Sequence, residues 1–295
     1  MTLTETDLQA LAQVAADAAR QAGRYIATAR PETVMHKPDI GSPAAQVVTE
    51  VDQRSQDIIV GLLTPTLARY DLALLTEETP DDGVRHTKDY FWCVDPLDGT
   101  LPFIEATPGY SVSIALVAHD GTPQIGAIVD PVTGTEYLAI RGQGSFRDGQ
   151  PWPEPTAPRG DTLSIFGDRS FRDHPRRDEF VRELEALGAE LGYRAVTVHT
   201  NSAAVMNACH VLEHPPACYF KLRKPEAGGG SLWDFAATAC LFHEADAPAT
   251  DIHGQPLDLN RADGTFMNHR GVCYASSEAL ARKIQALAAG SAPSA

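Results

Sequence analysis

Apolar residues recur along this chain with two different periods, and the switches between them mark out its elements. Leu8, Leu11, Ala15, Ala18, Ala22 and Tyr25 repeat every three to four positions, which predicts one amphipathic helix across residues 7–29. Ile58, Ile59, Leu62 and Leu63 share a helix face in the same way and predict a second helix from Asp52 to Leu67. Short apolar runs then predict strands near 72–75, 91–94, 111–118, 124–130 and 136–140. The turn signals His119-Asp120-Gly121 and Val132-Thr133-Gly134 between the last three imply antiparallel hairpins. Beyond a Pro-rich stretch, Gln150 to Pro158, which reads as a link, come a strand near 163–166 and a helix from Arg177 to Leu191. Further helices are expected from Ser202 to Leu212, around Trp233, and near 277–289, with a frayed tail after Gly290. Strands mixed with helices in this order predict a layered α/β (α+β) protein in two halves, 1–155 and 156–295.

Candidate chemistry concentrates where the fourth apolar run stops. Phe91-Trp92-Cys93-Val94 is followed by Asp95-Pro96-Leu97-Asp98-Gly99-Thr100. Pro96 fixes its own φ and biases Asp95 toward extended geometry, so the strand is expected to end there. The carbonyl of Leu97 would then turn toward a cation beside the carboxylates of Asp95 and Asp98. Mg²⁺ takes hard oxygen ligands in near-octahedral geometry and keeps waters and phosphate oxygens in its shell. Gly99 allows close backbone approach, and Thr100 could open a helix whose N–H groups hold a phosphate. The same six residues also suit an acidic surface turn. Asp52, Glu77-Glu78 and Asp234 stand near the ends of other predicted elements, where side chains can converge on one cleft.

Taken in order, VTEVD at 48–52, EE at 77–78, DPLDGT with Phe103 at 95–103, and WDFAA at 233–237 resemble the inositol monophosphatase superfamily; SVSIALV at 111–117 and the segment from Gly142 to Gln150 do so too. The resemblance implies a layered αβαβα sandwich of the inositol monophosphatase/fructose-1,6-bisphosphatase type, with the active site between the halves. It also implies a Mg²⁺-dependent, lithium-sensitive phosphomonoesterase that hydrolyses a small phosphorylated metabolite with a metal-activated water. Carried over residue by residue, Glu77, Asp95 and the Leu97 carbonyl would bind one Mg²⁺, and Asp95, Asp98 and Asp234 a second. A third, weaker ion would lean on Glu77. Thr100, backed by Asp52, would orient and deprotonate the attacking water, and the Gly99 and Thr100 amides would hold the phosphate. Many relatives are homodimers.

The leaving group is less well specified. YFKLRKPEAGGGSLWD (219–234) departs from plain inositol monophosphatases, in which an acidic residue stands near the position of Lys221. Lys221, Arg223 and Lys224 would add positive charge at the cleft mouth and could bind a second phosphate, or form a solvated basic loop. Thr250 to Gly254, with Met267-Asn268, is closer to the bisphosphate nucleotidases, so 3'-phosphoadenosine 5'-phosphate is an alternative substrate. A non-catalytic regulatory binding protein is a further alternative, opposed by the presence of every expected site residue. Gly228-Gly229-Gly230 reads as a flexible active-site loop, Trp92 as core, and Trp233 as an orienting neighbour of Asp234. His210 and His214 stand at i,i+4, a metal-pair spacing, without a third ligand evident in sequence.

Composition narrows the partners. A formal charge of −15 argues against nucleic-acid and anionic-membrane binding. No apolar run is long enough to span a bilayer, and the acidic N-terminus is unlike a signal peptide. Five cysteines without C-x-x-C spacing suggest reduced thiols and a cytoplasmic location.

Overall fold

A computed structural model describes residues 2–31, 33–36, 47–153 and 160–290. The N-terminal part runs α1 (Glu5–Thr28), β1 (Val34–His36), β2 (Val47–Thr49), α2 (Glu50–Tyr70), β3 (Ala73–Thr76), β4 (Tyr90–Asp98) and α3 (Thr100–Ile104). A meander follows through β5 (Ser111–Ala118), β6 (Pro123–Val129), β7 (Glu136–Ile140), β8 (Gly144–Arg147) and β9 (Gln150–Pro151). The C-terminal part begins with β10 (Thr162–Phe166), α4 (Arg169–Arg172), α5 (Arg177–Glu190) and β11 (Ala195–His199). It ends with α6 (Ala204–Glu213), β12 (Ala217–Lys221), α7 (Leu232–Glu244), β13 (Ala249–Thr250), β14 (Val272–Ala275) and α8 (Glu278–Gly290).

Besides the antiparallel pair β1-β2, two larger sheets organise these elements. The larger has the order β3-β4-β5-β6-β7-β8-β9, parallel only between β3 and β4 and antiparallel elsewhere. The smaller is mixed, with the order β11-β10-β12-β14-β13. Helices α1 and α2 cover one face of the large sheet, and α7 covers the other. Helix α6 packs against α7 and against the small sheet, whose remaining face carries α5 and α8. The layers therefore run helix, sheet, helix, sheet, helix, as the resemblance implies.

Side-chain alternation explains why the large sheet is covered on both faces. On β5, Val112, Ile114 and Leu116 join the core under α1 and α2, whereas Ala115 and Val117 join the core shared with α6 and α7. On β4, Trp92 and Val94 take the first side and Phe91 and Cys93 the second. Trp92 is fully buried, as expected of a core residue, and its indole N–H donates to Thr66 Oγ1 at 2.9 Å. Helix α7 lies so close to β6 that a Cβ at Gly126 would come within 2.3 Å of the Ala237 carbonyl oxygen.

Several boundaries differ from the sequence reading. Strands β11 and β12 were not expected; β11 is an edge strand of alternating exposed and half-buried residues, and β12 is a short run directly after Pro215-Pro216. The proposed link from Gln150 begins with β9, and its residues 154–158 lie outside the described set, as does the tail beyond 290. The five cysteines are free and buried. Among the described residues, no helix is long and apolar enough to cross a membrane.

Candidate metal centre

Pro96 does not end the strand as expected: β4 continues to Asp98, with a bulge instead of a stop. Asp95 pairs with Ser113 and Asp98 with Ser111, so three steps along β4 face two along β5. The extra residue has a definite consequence. In a regular strand, residues three apart point to opposite faces, and Asp98 would face α1 and α2. The bulge reverses the parity, so Leu97 enters the core beside Trp92 and Val94 while Asp98 turns to the side of Asp95. Asp98 Oδ2 there accepts the Val205 amide from the first turn of α6, at 2.9 Å. Pro96 can donate no ladder bond; its carbonyl accepts from Ser55 Oγ of α2 at 2.7 Å.

Two helix starts deliver the other carboxylates by one local device. Helix α2 begins at Glu50, before the expected start at Asp52, so Asp52 lies inside its first turn, at the third position of a capping box. Its Oδ2 accepts from the Thr49 amide at 2.8 Å and Thr49 Oγ1 at 2.6 Å, while Oδ1 accepts from Thr100 Oγ1 at 2.9 Å. Asp234 occupies the same position in α7, where Oδ2 accepts the Ser231 amide at 2.7 Å. Trp233 is tied to the sheet through its carbonyl, which accepts from Ser113 Oγ at 3.1 Å. The pattern Ser/Thr-x-x-Asp was legible at both places in the sequence, but it recurs at Thr4–Asp7 of α1, a helix that carries none of the candidate site residues, so alone it decides nothing.

Asp95, Asp98 and Asp234 come together, each with one carboxylate oxygen within 4.8 Å of the other two. Asp95 and Asp98 are buried, at 1% and 6% exposure. Burial pushes the Asp95 carboxyl well above its ordinary range, and the charges of Glu77, Asp98 and Asp234 push it further. Burial likewise raises Asp98, assisted by Asp234 and only partly opposed by the Val205 amide and the Lys221 charge. Asp52 is raised by burial against the hydrogen bonds from Thr49 and Thr100, with Glu77 adding to the rise. Glu77 thus lies within electrostatic reach of all three. Ser111 Oγ, opposite Asp98, is buried without a hydrogen-bond partner among the described residues.

This donor set fits a hard divalent cation. Its ligands are all oxygen, and the clustered carboxylates are held where only a positive charge relieves both desolvation and mutual repulsion. Gly99, with φ +95°, turns the chain into α3; a Cβ there would meet Ala203 Cβ at 2.8 Å.

The basic residues depart from expectation. Lys221 is not in a loop at the cleft mouth but closes β12, with its side chain 13% exposed and Nζ 2.6 Å from Asp168 Oδ2. Asp168, which sequence reasoning missed, caps α4 and accepts from Ser170 Oγ at 2.5 Å and the Phe171 amide at 3.2 Å. Burial alone would raise its carboxyl, but the Lys221 charge and these hydrogen bonds hold it at about 2. Lys224 is half-buried; burial and the neighbouring Lys221 charge lower its pKa. Arg223 is exposed. Asn268 clamps the segment, accepting the Lys224 amide on its carbonyl at 2.9 Å and donating Nδ2 to the Lys224 carbonyl at 3.0 Å. Gly228, Gly229 and Gly230 all have positive φ, and the Met267 amide donates to the Gly230 carbonyl at 2.9 Å. Asp251 is occupied structurally, accepting the amides of His253 and Gln255 at 2.8 Å each.

A family model described as the inositol monophosphatase family matches residues 7–290. The chain belongs to the inositol monophosphatase family. Inositol monophosphatase 2 of Mus musculus is 28% identical over 252 residues, covering 84% of this chain and 81% of the relative. The 3'(2'),5'-bisphosphate nucleotidase CysQ of Escherichia coli (strain K12) is 32% identical over 260 residues, covering 88% and 94%. The fold matches the crystal structure of extragenic suppressor protein suhB from Bartonella henselae, with TM-score 0.71, 22% identity, and coverage of 96% of this chain and all of that one. This member of the inositol monophosphatase family thus has relatives named for one phosphate on a cyclitol and for two on a nucleoside.

Proposed function

We propose that this protein is a Mg²⁺-dependent phosphomonoesterase acting on a small phosphorylated metabolite. The convergence of Asp95, Asp98 and Asp234 within 4.8 Å carries the reading. Glu77, Asp95 and the Leu97 carbonyl would hold one Mg²⁺, and Asp95, Asp98 and Asp234 a second, with a third, weaker ion leaning on Glu77. Bound there, the ions would neutralise the transferring phosphoryl oxygens and acidify the attacking water. Gly99 and Thr100 would present their amides to the phosphate where the bulged strand turns into α3. Thr100 Oγ1 would accept a proton from the water while passing its own to Asp52 Oδ1, with which it already shares a 2.9 Å hydrogen bond. The raised pKa of Asp52 suits it to receive that proton.

Bisphosphate substrates are favoured as a second reading by one observation. Lys221 and Lys224 are close enough to repel; Asp168 pairs directly with Lys221, and at Lys224 the Lys221 charge outweighs that of Asp168 or of Glu226. Their surplus positive charge, with Arg223 alongside, suits the phosphate that is not cleaved. Phosphate release with Mg²⁺ is the test, run on myo-inositol 1-phosphate, 3'-phosphoadenosine 5'-phosphate, fructose 1,6-bisphosphate and histidinol phosphate. Turnover of none of the four overturns the enzymatic reading. Lys224→Ala should lower kcat/KM about tenfold or more for a bisphosphate while sparing a monophosphate, the loss expected for one charge-assisted contact. Equal effects on both would remove Lys224 from substrate recognition.

A further inference from the structure

The far end of α6 carries a second cluster of metal-ligating groups, built differently from the carboxylate centre. His210 and Glu213 lie in the last turn and His214 is the C-cap. Glu213 Oε2 is 2.8 Å from His210 Nδ1 and 3.9 Å from His214 Nε2. One ligand atom from each of the three residues lies within 4.8 Å of the other two. The sequence showed the i,i+4 histidines, but not that Glu213 would turn its carboxylate between them.

The surroundings hold that carboxylate in place. Glu213 Oε1 accepts from the Tyr137 hydroxyl at 2.7 Å and pairs with Arg147 at 3.1 Å, which leaves Oε2 facing the imidazoles. Outer hydrogen bonds of this kind fix a ligand's orientation before an ion arrives. Burial alone would raise the Glu213 carboxyl, yet the bonds from His210 and Tyr137 and the charges of His210 and Arg147 hold it below its ordinary value. The carboxylate is therefore ionised at neutral pH. Phe166 packs against the His210 and His214 rings, with centroids 5.5 and 6.3 Å away. The two imidazole centroids are 5.9 Å apart. Metal–ligand bonds of about 2.1 Å place ligand atoms roughly 3.4 Å from one another, between the 2.8 Å of the His210–Glu213 pair and the 3.9 Å of the His214–Glu213 pair. The end of a helix, where its dipole is negative, also favours a cation. His214 is 59% exposed at its side chain, which gives an ion an entry path and leaves room for water as a fourth ligand.

The geometry points to a binding site for a borderline divalent transition metal, of the Zn²⁺, Co²⁺ or Ni²⁺ class, formed by His210, Glu213 and His214. Two nitrogens and one oxygen disfavour Mg²⁺, which demands oxygen ligands and near-ideal octahedral geometry. The metal takes the place of the hydrogen bond between His210 Nδ1 and Glu213 Oε2. This site stands independently of the phosphatase reading.

The test titrates Co²⁺ into the full-length, untagged protein in excess Mg²⁺, read by calorimetry and by the visible absorption of low-coordinate cobalt. Asp95→Asn/Asp234→Asn, which disables the carboxylate centre, should retain one Co²⁺ per chain. His210→Gln/His214→Gln should lose that equivalent and keep its Mg²⁺-dependent phosphate release. In the wild-type protein, Co²⁺ should shift the His210 and His214 imidazole resonances, a readout that needs no variant to fold. Equal Co²⁺ binding in the two-histidine variant, no cobalt retained by the carboxylate variant, or unshifted imidazoles would each reduce the cluster to a helix-end ion pair and overturn the site.

Discussion

At Asp95, burial and three carboxylate neighbours, Glu77, Asp98 and Asp234, all resist the charge. Asp95→Asn removes a ligand from both proposed ions while leaving volume and shape almost unchanged. Phosphate release should fall by roughly 10²–10³-fold or more, while the far-UV circular dichroism stays that of the wild type. Without metal, the variant should melt no lower than the parent, because an amide ends the repulsion. Near-parental turnover would sink the two-ion assignment. Lys221 poses the opposite case, a cation matched to one carboxylate. The folded pKa of Asp168 is depressed to about 2, so its share of stability is present above 3.8 and lost as pH falls through about 2. Burial lowers the pKa of Lys221, but Asp168, joined by the charges of Asp234 and Asp98, more than reverses this and holds it above 10.5; its share is present below that value and lost above. The pair is intact across neutral pH. Lys221→Met should cost about 3–5 kcal/mol at pH 7 by stranding a buried carboxylate. In the variant Asp168 no longer has its cation and protonates more readily, so the penalty measured by denaturant titration should shrink toward pH 4. A penalty constant with pH would mean that the loss is packing alone.

Element by element, the chain shows which physical signals survive in sequence and which do not. Strand β5 was legible because Val112, Ile114 and Leu116 alternate with Ser113, Ala115 and Val117, and both sets are apolar enough to be buried. Helix α1 was legible because its apolar stripe faces one sheet. The bulge in β4 was not, since Asp-Pro reads as a stop and only the register against β5 reveals the extra residue. Strand β12 escaped for a related reason: four apolar residues between Pro216 and Lys221 give no period to count, and its burial is decided by β10 and β14 on either side. Lys221 was consequently misplaced, and Asp168 had no local mark beyond a capping position. The carboxylates themselves were visible as residue types; their common face depends on the bulge and on α7 lying close against β6. That closeness is testable at Gly126. Gly126→Ala would force a Cβ to 2.3 Å from the Ala237 carbonyl, so α7 must shift or the strand must bend. A loss of about 1–3 kcal/mol is expected from overpacking. Because Asp234 is carried by α7, the Mg²⁺ concentration for half-maximal activity should rise as well. An unchanged Mg²⁺ dependence in a destabilised variant would show that Asp234 is positioned by its capping box alone.

For the whole molecule, the carboxylate centre makes stability depend on metal and pH together. Asp52, Asp95 and Asp98 all have folded pKa values raised above 3.8, mainly by burial. A group shifted in this direction contributes stability that is complete below its unfolded pKa and is lost as pH rises through the folded value. The metal-free protein should therefore lose stability from this site as pH increases from 3.8 toward neutrality and beyond. A bound divalent cation reverses the balance, because it favours the ionised carboxylates that burial and repulsion resist. Proton release then accompanies metal binding, and the gain in Tm on adding Mg²⁺ should grow with pH over that window. Groups remote from the centre titrate alike with and without metal and cancel in the difference, and Asp168, held at about 2, titrates below that window. Paired melts in Mg²⁺ and in chelator at a series of pH values read that difference directly. Asp95→Asn/Asp98→Asn should flatten it, since the amides can neither titrate nor bind tightly. A Mg²⁺-induced rise that is independent of pH, or one that survives in this double variant, would place the ion elsewhere on the protein.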